Sequence, residues 1–267
     1  MAKQDRTLLK PSVYSVVAGI TYWMIFLGFA IATDIDFDTT GGQITGALAT
    51  FGSFIIFYFF MGMTVHLVDV HLKGGTPTLS EAYADAKQNF GAIIFLALIS
   101  TVVEIISKAV RQSSRDSDSA GGAIVLSIIA SIIESIWAML AFLLLPAIII
   151  EDVSLGQALT RVRQISKGNF LQISIGDVGV RMVTSFIGFA VFLLVFGVVY
   201  FSFDVVGGTA GTVMGIGVGG TILCLYFAFA SYLRMAYYTC LYIWAAEKMD
   251  NGPQAPAPLP LARVLHQ

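Results

Sequence analysis

The sequence predicts an all-α, polytopic membrane bundle of six transmembrane helices, and three observations carry that prediction. Apolar residues make up 57% of the chain and charged residues 12%, about half the charge of a soluble domain. Mean hydropathy is +0.81, and several apolar runs are long enough to cross a hydrocarbon core, which takes about 20 residues. One motif is used twice between such runs. The first copy opens Thr78-Leu79-Ser80-Glu81-Ala82 and closes Asn89-Phe90; the second opens Ser154-Leu155-Gly156-Gln157-Ala158 and closes Asn169-Phe170.

The chain begins with Lys3, Arg6 and Lys10 and then turns apolar. That start, with Ala30-Ile31-Ala32, is similar to a cleavable signal, but the run over 13–32 is long for a signal core. It reads as a retained first span over 12–32. The acidic loop from Thr33 to Gly42 holds Asp34, Asp36 and Asp38, spaced like the start of a calcium loop. Thr39 stands where that loop needs Gly and Thr45 where it needs Glu, so only weak cation attraction is expected. Span two covers about 44–70, and Lys73-Gly74-Gly75-Thr76-Pro77 stops it.

Thr78 is placed to cap the next helix. Leu79, Ala82, Tyr83, Ala86 and Phe90 share one face of it, with Ser80, Glu81, Asp85, Lys87 and Gln88 elsewhere. This predicts an interfacial amphipathic helix in the headgroup plane, an ordinary connector packed on the bundle being the alternative. Span three runs over about 90–110, the polar loop over 111–119, and span four over 120–150 with Pro146 as a kink site. A second interfacial helix follows, with Leu155, Ala158, Leu159, Val162 and Ile165 on one side and Arg161, Arg163 and Lys167 on the other. Span five covers about 170–203 and span six about 206–246, whose glycine-rich first half is the place for a break. Residues 1–250 thus form one transmembrane domain, with parallel repeat units over 44–110 and 120–203, and 251–267 a Pro-rich tail expected to be disordered.

Lys and Arg set the orientation. With the N-terminus inside, Lys73, Lys87, Arg161, Arg163, Lys167 and Lys248 fall on the cytoplasmic side, against Lys108, Arg111 and Arg115 outside. The expectation is a cytoplasmic (inner) membrane protein with both termini and both interfacial helices cytoplasmic.

Lys73-Gly74-Gly75-Thr76-Pro77-Thr78, the span end Phe142-Leu143-Leu144-Leu145-Pro146 running to Glu151, and Tyr237-Tyr238-Thr239-Cys240-Leu241-Tyr242 together resemble a family of uncharacterised bacterial and archaeal multi-pass proteins, a domain of unknown function. The resemblance covers about 51–246 and implies a membrane bundle but no activity. A looser likeness extends to the membrane domain attached to some glycerophosphodiesterases.

Five ionisable residues lie in or near apolar runs: Glu104, Glu134, Asp177, Arg181 and Arg234. Each charge costs about 2.5–3.5 kcal/mol at the bilayer centre, so they are expected to face the bundle, a cavity or one another. Helical rise brings Glu134, Arg181 and Arg234 to similar depth, as a polar pathway or as a structural ion pair; Asp177 and Arg181 are also spaced to pair along one helix. Gly207, Gly211, Gly215 and Gly219 recur every fourth residue, a pattern for close helix packing within the bundle or between subunits, or for a flexible gating segment. Gly215, Gly217 and Gly220 formally match a dinucleotide fingerprint, but an apolar span makes them packing residues. His66, Asp69 and His71 at the end of span two, with Glu151 at the matching place in the second repeat, are weak metal candidates, and interfacial polarity explains them as well. Arg161, Arg163 and Lys167 are candidates for anionic lipid headgroups.

Cys224 and Cys240 lie about 24 Å apart along one predicted helix and cannot pair. Near-neutral net charge excludes a nucleic-acid footprint. No catalytic residue set and no cofactor motif is recognisable. The expected partners are membrane lipids and further copies of the chain. The functional expectation is an oligomeric channel or transporter-like protein, a structural or assembly protein standing next, and a lipid-active enzyme last.

Overall fold

The computed structural model describes residues 6–115 and 120–251, and for residues 6, 120, 167–177 and 251 only the course of the backbone. The tail over 252–267 and the loop over 116–119 lie outside the described residues. After a 3-10 turn at Arg6–Leu9 come α1 (Lys10–Ala32), α2 (Thr40–Leu72), α3 (Leu79–Gln88), α4 (Phe90–Arg115), α5 (Ala120–Glu151), α6 (Leu155–Val206) and α7 (Gly208–Asn251). Six helices are long and apolar enough to cross a membrane: Thr7–Ala32, Thr40–Leu72, Phe90–Arg115, Gly121–Glu151, Val178–Val206 and Gly208–Asp250. There is no strand among the described residues. Pro146 lies inside α5, which continues past it to Glu151, and α7 runs unbroken through its glycine-rich half.

The two motif copies fold differently. In the first, Thr78 accepts the Glu81 N–H at 3.3 Å and donates to its carboxylate at 2.6 Å, starting α3. α3 ends after one short run because Asn89 caps it, its backbone N–H and side-chain amide both donating to the Asp85 carbonyl. Ala82 and Ala86 are fully buried with Met63, Leu67 and Cys240. The stripe therefore packs on the bundle rather than lying on headgroups. Its two alanines let the helix approach closely, while the larger Tyr83 stays half exposed, edge-on to Phe59.

At the start of the second copy the Ser154 N–H and hydroxyl both donate to Gln157 Oε1, at 3.0 and 2.9 Å, and Ala158, Val162 and Ile165 are buried. The helix does not stop at Asn169. It continues to Val206, giving one rod of 52 residues, about 78 Å long. The expected separate second interfacial helix is thus the first part of α6. The glycine beside Asn169, Gly168, does not stop it, because a glycine inside a helix costs only about 1 kcal/mol relative to alanine.

Antiparallel neighbours α1/α2, α4/α5 and α6/α7 form three hairpins. They meet in a packed base at the α3 end. There Tyr58, Met61, Val65, Ile93, Leu96, Phe142, Ile148, Met235, Tyr238 and Tyr242 make one buried cluster. A polar knot closes it: Ser100 accepts from Tyr58 at 2.8 Å and from the Trp137 indole N–H at 2.9 Å, and donates to the Leu96 carbonyl at 2.8 Å. One hydroxyl satisfies two buried aromatic donors and joins α2, α4 and α5. Away from the base, large apolar side chains on α1, α5, α6 and the first half of α7 are exposed.

Candidate functional site

The α6/α7 hairpin is built by glycine. Gly207, with φ +71, makes the turn. Gly211, Gly215 and Gly219 are buried. A Cβ at Gly211 would strike the Ser202 carbonyl oxygen; at Gly215 it would lie 3.0 Å from Val199 Cα, and at Gly219 2.9 Å from a Val195 methyl. The predicted ladder thus holds α7 against α6 within one chain. Gly217 and Gly220 face open space. Lower down, Tyr226 donates to the Thr184 carbonyl at 2.9 Å and its ring lies on Gly188.

Thr184, Gly188, Val195, Val199 and Ser202 therefore define the α7-facing side of α6. The opposite side carries a stripe that the sequence reading missed: Met182, Phe186, Phe189, Leu193, Phe196, Tyr200 and Phe203. Their spacing alternates four, three, four, three, the period of a helix that packs along another helix. Every one is more than half exposed. Hydropathy hides this stripe, because the residues between are apolar too, and a count of aromatic positions does not isolate it either, since Met182 and Leu193 belong to it and the exposed Phe192 and Phe201 do not.

The intramembrane charges are distributed differently from the expected network. Glu134 takes a two-pronged bond from Arg111, at 3.2 Å to Nε and 2.6 Å to Nη2. Glu104 pairs with Lys108 one turn along α4 at 3.3 Å. Arg234 lies over the Phe142 ring, 4.4 Å from its centroid. Phe142 is eight residues along α5 from Glu134, about 12 Å, so Glu134 sits at another level. The register of Gly219 on Val195 and Tyr226 on Gly188 does put Arg181 level with Arg234. The side chains of Asp177 and Lys167 lie outside the described residues.

At the α3 end, two polar clusters tie the helix ends together. His66 Nδ1 is 2.6 Å from Asp85 Oδ2, and the Asn89 amide donates to Asp152 Oδ1 at 2.8 Å and approaches Asp85 Oδ1 at 3.4 Å. Asp152 adopts φ +51 to make the turn between α5 and α6. The first joint is thereby bonded to the second. In the other cluster Arg161 donates to Glu151 at 3.0 Å and to Asp250 at 2.8 Å, while Tyr242 donates to Glu151 at 2.5 Å. The two carboxylates, Asp250 foremost, hold the Arg161 guanidinium above its ordinary pKa. Arg161 is thus engaged with protein, while Arg163 is exposed.

The metal candidates do not converge. Asp69 pairs with Lys73 at 2.7 Å, Glu151 serves Arg161 and Tyr242, and no three His, Cys, Asp or Glu residues are placed to hold an ion among the described residues.

A family described as a family of unknown function, DUF6159, matches residues 44–251, from the first turns of α2 to the end of α7. The expectation of an uncharacterised family stands; the likeness to the glycerophosphodiesterase membrane domain finds no support. No curated protein and no solved structure matches the chain.

Proposed function

We propose, for a chain that belongs to the DUF6159 family of unknown function and inherits no activity from it, a structural role: a membrane assembly protein that self-associates along α6. The supporting observation is the stripe from Met182 to Phe203. It runs for about three heptads opposite the face that holds α7, and nothing among the described residues covers it. Lipid contact needs apolar surface but no period; a helix partner needs the period. The base is filled by aromatic side chains and the Ser100 knot, which favours a role in holding rather than conducting. In the orientation given by the Lys and Arg bias, the base and both termini are cytoplasmic.

Energy transfer between donor- and acceptor-labelled chains in liposomes tests this reading. Phe189→Ala with Phe196→Ala should reduce transfer at a lipid-to-protein ratio where the native chain associates. Unchanged transfer would remove the stripe as the contact.

A second reading retains solute conduction, between copies rather than within one. It is favoured by the Arg111–Glu134 pair, whose side chains are 40% and 35% exposed within apolar helices. On α5 a groove of about 330 Å³ is lined by Ser127, Ser131 and Ser135 together with Ile128, Ile132 and Ile136. Half-exposed charges are poorly solvated by acyl chains. For headgroup binding, exposed Arg163 together with Lys167 is the remaining proposal; charge reversal of both should weaken binding to anionic vesicles.

A further inference from the structure

Two opposite sides of α4 differ in kind. One is apolar and open: Phe95, Leu98, Val102, Ile105 and Ile106 are all exposed. The other starts in the base, where Ile93, Ala97 and Ser100 are buried. At helical spacing that side continues away from the base with Glu104, Lys108, Arg111 and Arg115. In a bilayer the apolar side of such a span faces acyl chains, and the charged side faces protein or water.

Glu134 of α5 joins the charged side. Ser100 accepts from Trp137 and Ser114 donates to the Ala123 carbonyl, a register that sets Glu134 level with Glu104, one turn beyond the Ser100 knot. Lys108 pairs with Glu104 at 3.3 Å, Arg111 donates its two-pronged bond to Glu134, and Glu104 also acts electrostatically on Arg111. The four charges thus form one cluster. Glu104 lies about 21 Å along α4 from its start at Phe90, near the middle of the span.

Two features argue for water at this cluster. The side of α4 that is closed in the base is open here: Ser100 is 2% exposed, whereas the Glu104 and Lys108 side chains are 34% and 64% exposed. Arg111 also reaches about two turns, or about 10 Å, back toward the middle of the span. An arginine surrounded by acyl chains stretches the other way, to the nearest headgroups.

We infer that α4 and α5 line an aqueous crevice within one chain, which admits water and small hydrophilic solutes from the side of the membrane opposite α3 to the charges above the Ser100 knot. In the orientation given by the Lys and Arg bias, that side is the outside. The inference is independent of association along α6, and it solvates the Arg111–Glu134 pair inside one chain rather than between copies.

Substituted cysteines in the full chain test it, with Cys224 and Cys240 replaced by serine and each lipid nanodisc holding one chain. The probe is a charged methanethiosulfonate, which reacts with thiolates in water and not with thiols held among acyl chains. Glu104→Cys should be modified at least about tenfold faster than Ile105→Cys, and Lys108→Cys than Ala109→Cys, because only the charged side of α4 lets a thiol ionise. The members of each pair share a depth and differ in the side of the helix. Equal rates within either pair, or no modification at Glu104→Cys and Lys108→Cys, would overturn the crevice. A difference that arises only when several copies share a disc would put the water between copies and overturn it as well. If Glu104→Cys does not fold, the pair at Lys108 and Ala109 decides.

Discussion

Ser100 and the small residues of α7 show how single side chains set this fold. Ser100 gives two donors on two other helices their acceptor. Ser100→Ala should leave the Tyr58 hydroxyl and the Trp137 indole N–H unpaired in the base and destabilise by about 1–3 kcal/mol. Thermal unfolding in detergent would register it, and a change within error would mean that the knot is not closed by this hydroxyl. Gly211 and Gly217 form a matched pair. Gly211→Ala meets the Ser202 backbone and should separate the α6/α7 hairpin, whereas Gly217→Ala meets nothing and should be neutral or slightly stabilising. At this scale the sequence was partly legible. The four-residue glycine period was visible, but nothing in it told the partner helix from a second subunit. Glu134 is expected to meet other charges of the spans, whereas the structure pairs it with Arg111, which the sequence reading places in the loop. A long arginine side chain reaching back toward the apolar zone is invisible to a reading that places residues by helical rise alone.

The elements were legible wherever hydropathy decides. All six spans are present within a few residues of the expected ends, except that α6 begins before span five. The repeated motif predicted two short helices because both copies share cap, apolar face and ending. What ends the first is tertiary: Asn89 turns back on Asp85 and reaches Asp152 on a joint far away in the chain. Such a partner has no local signature. The continuity of α6 gives a distance. Spin labels at Leu159→Cys and Leu194→Cys, both exposed positions, should lie about 53 Å apart along a straight helix. A break at Asn169 would bring them markedly closer.

For the molecule as a whole, burial is concentrated in the base while the hairpins carry exposed apolar flanks. A single chain with a filled base should not conduct. Vesicles holding the native protein and vesicles holding Glu134→Gln should therefore show the same background ion leak, and Glu134→Gln should instead lower stability by leaving Arg111 unpaired. A native current lost in Glu134→Gln would favour the second reading. The architecture could be read from the sequence because every span must be apolar. The contact surface could not, because the residues beside the stripe are equally apolar and some, such as Phe192 and Phe201, equally large, so that only spacing distinguishes it.

Self-association along α6 is the central claim, and oxidative cross-linking in membranes tests it most directly. A symmetric helix pair brings identical stripe positions within disulfide reach. With Cys224 and Cys240 replaced by serine, single cysteines at Phe189 or Phe196 should give covalent dimers, and one at Leu194, exposed but off the stripe, should not. Equal dimer yield at all three positions, or none at Phe189 and Phe196, would contradict the account.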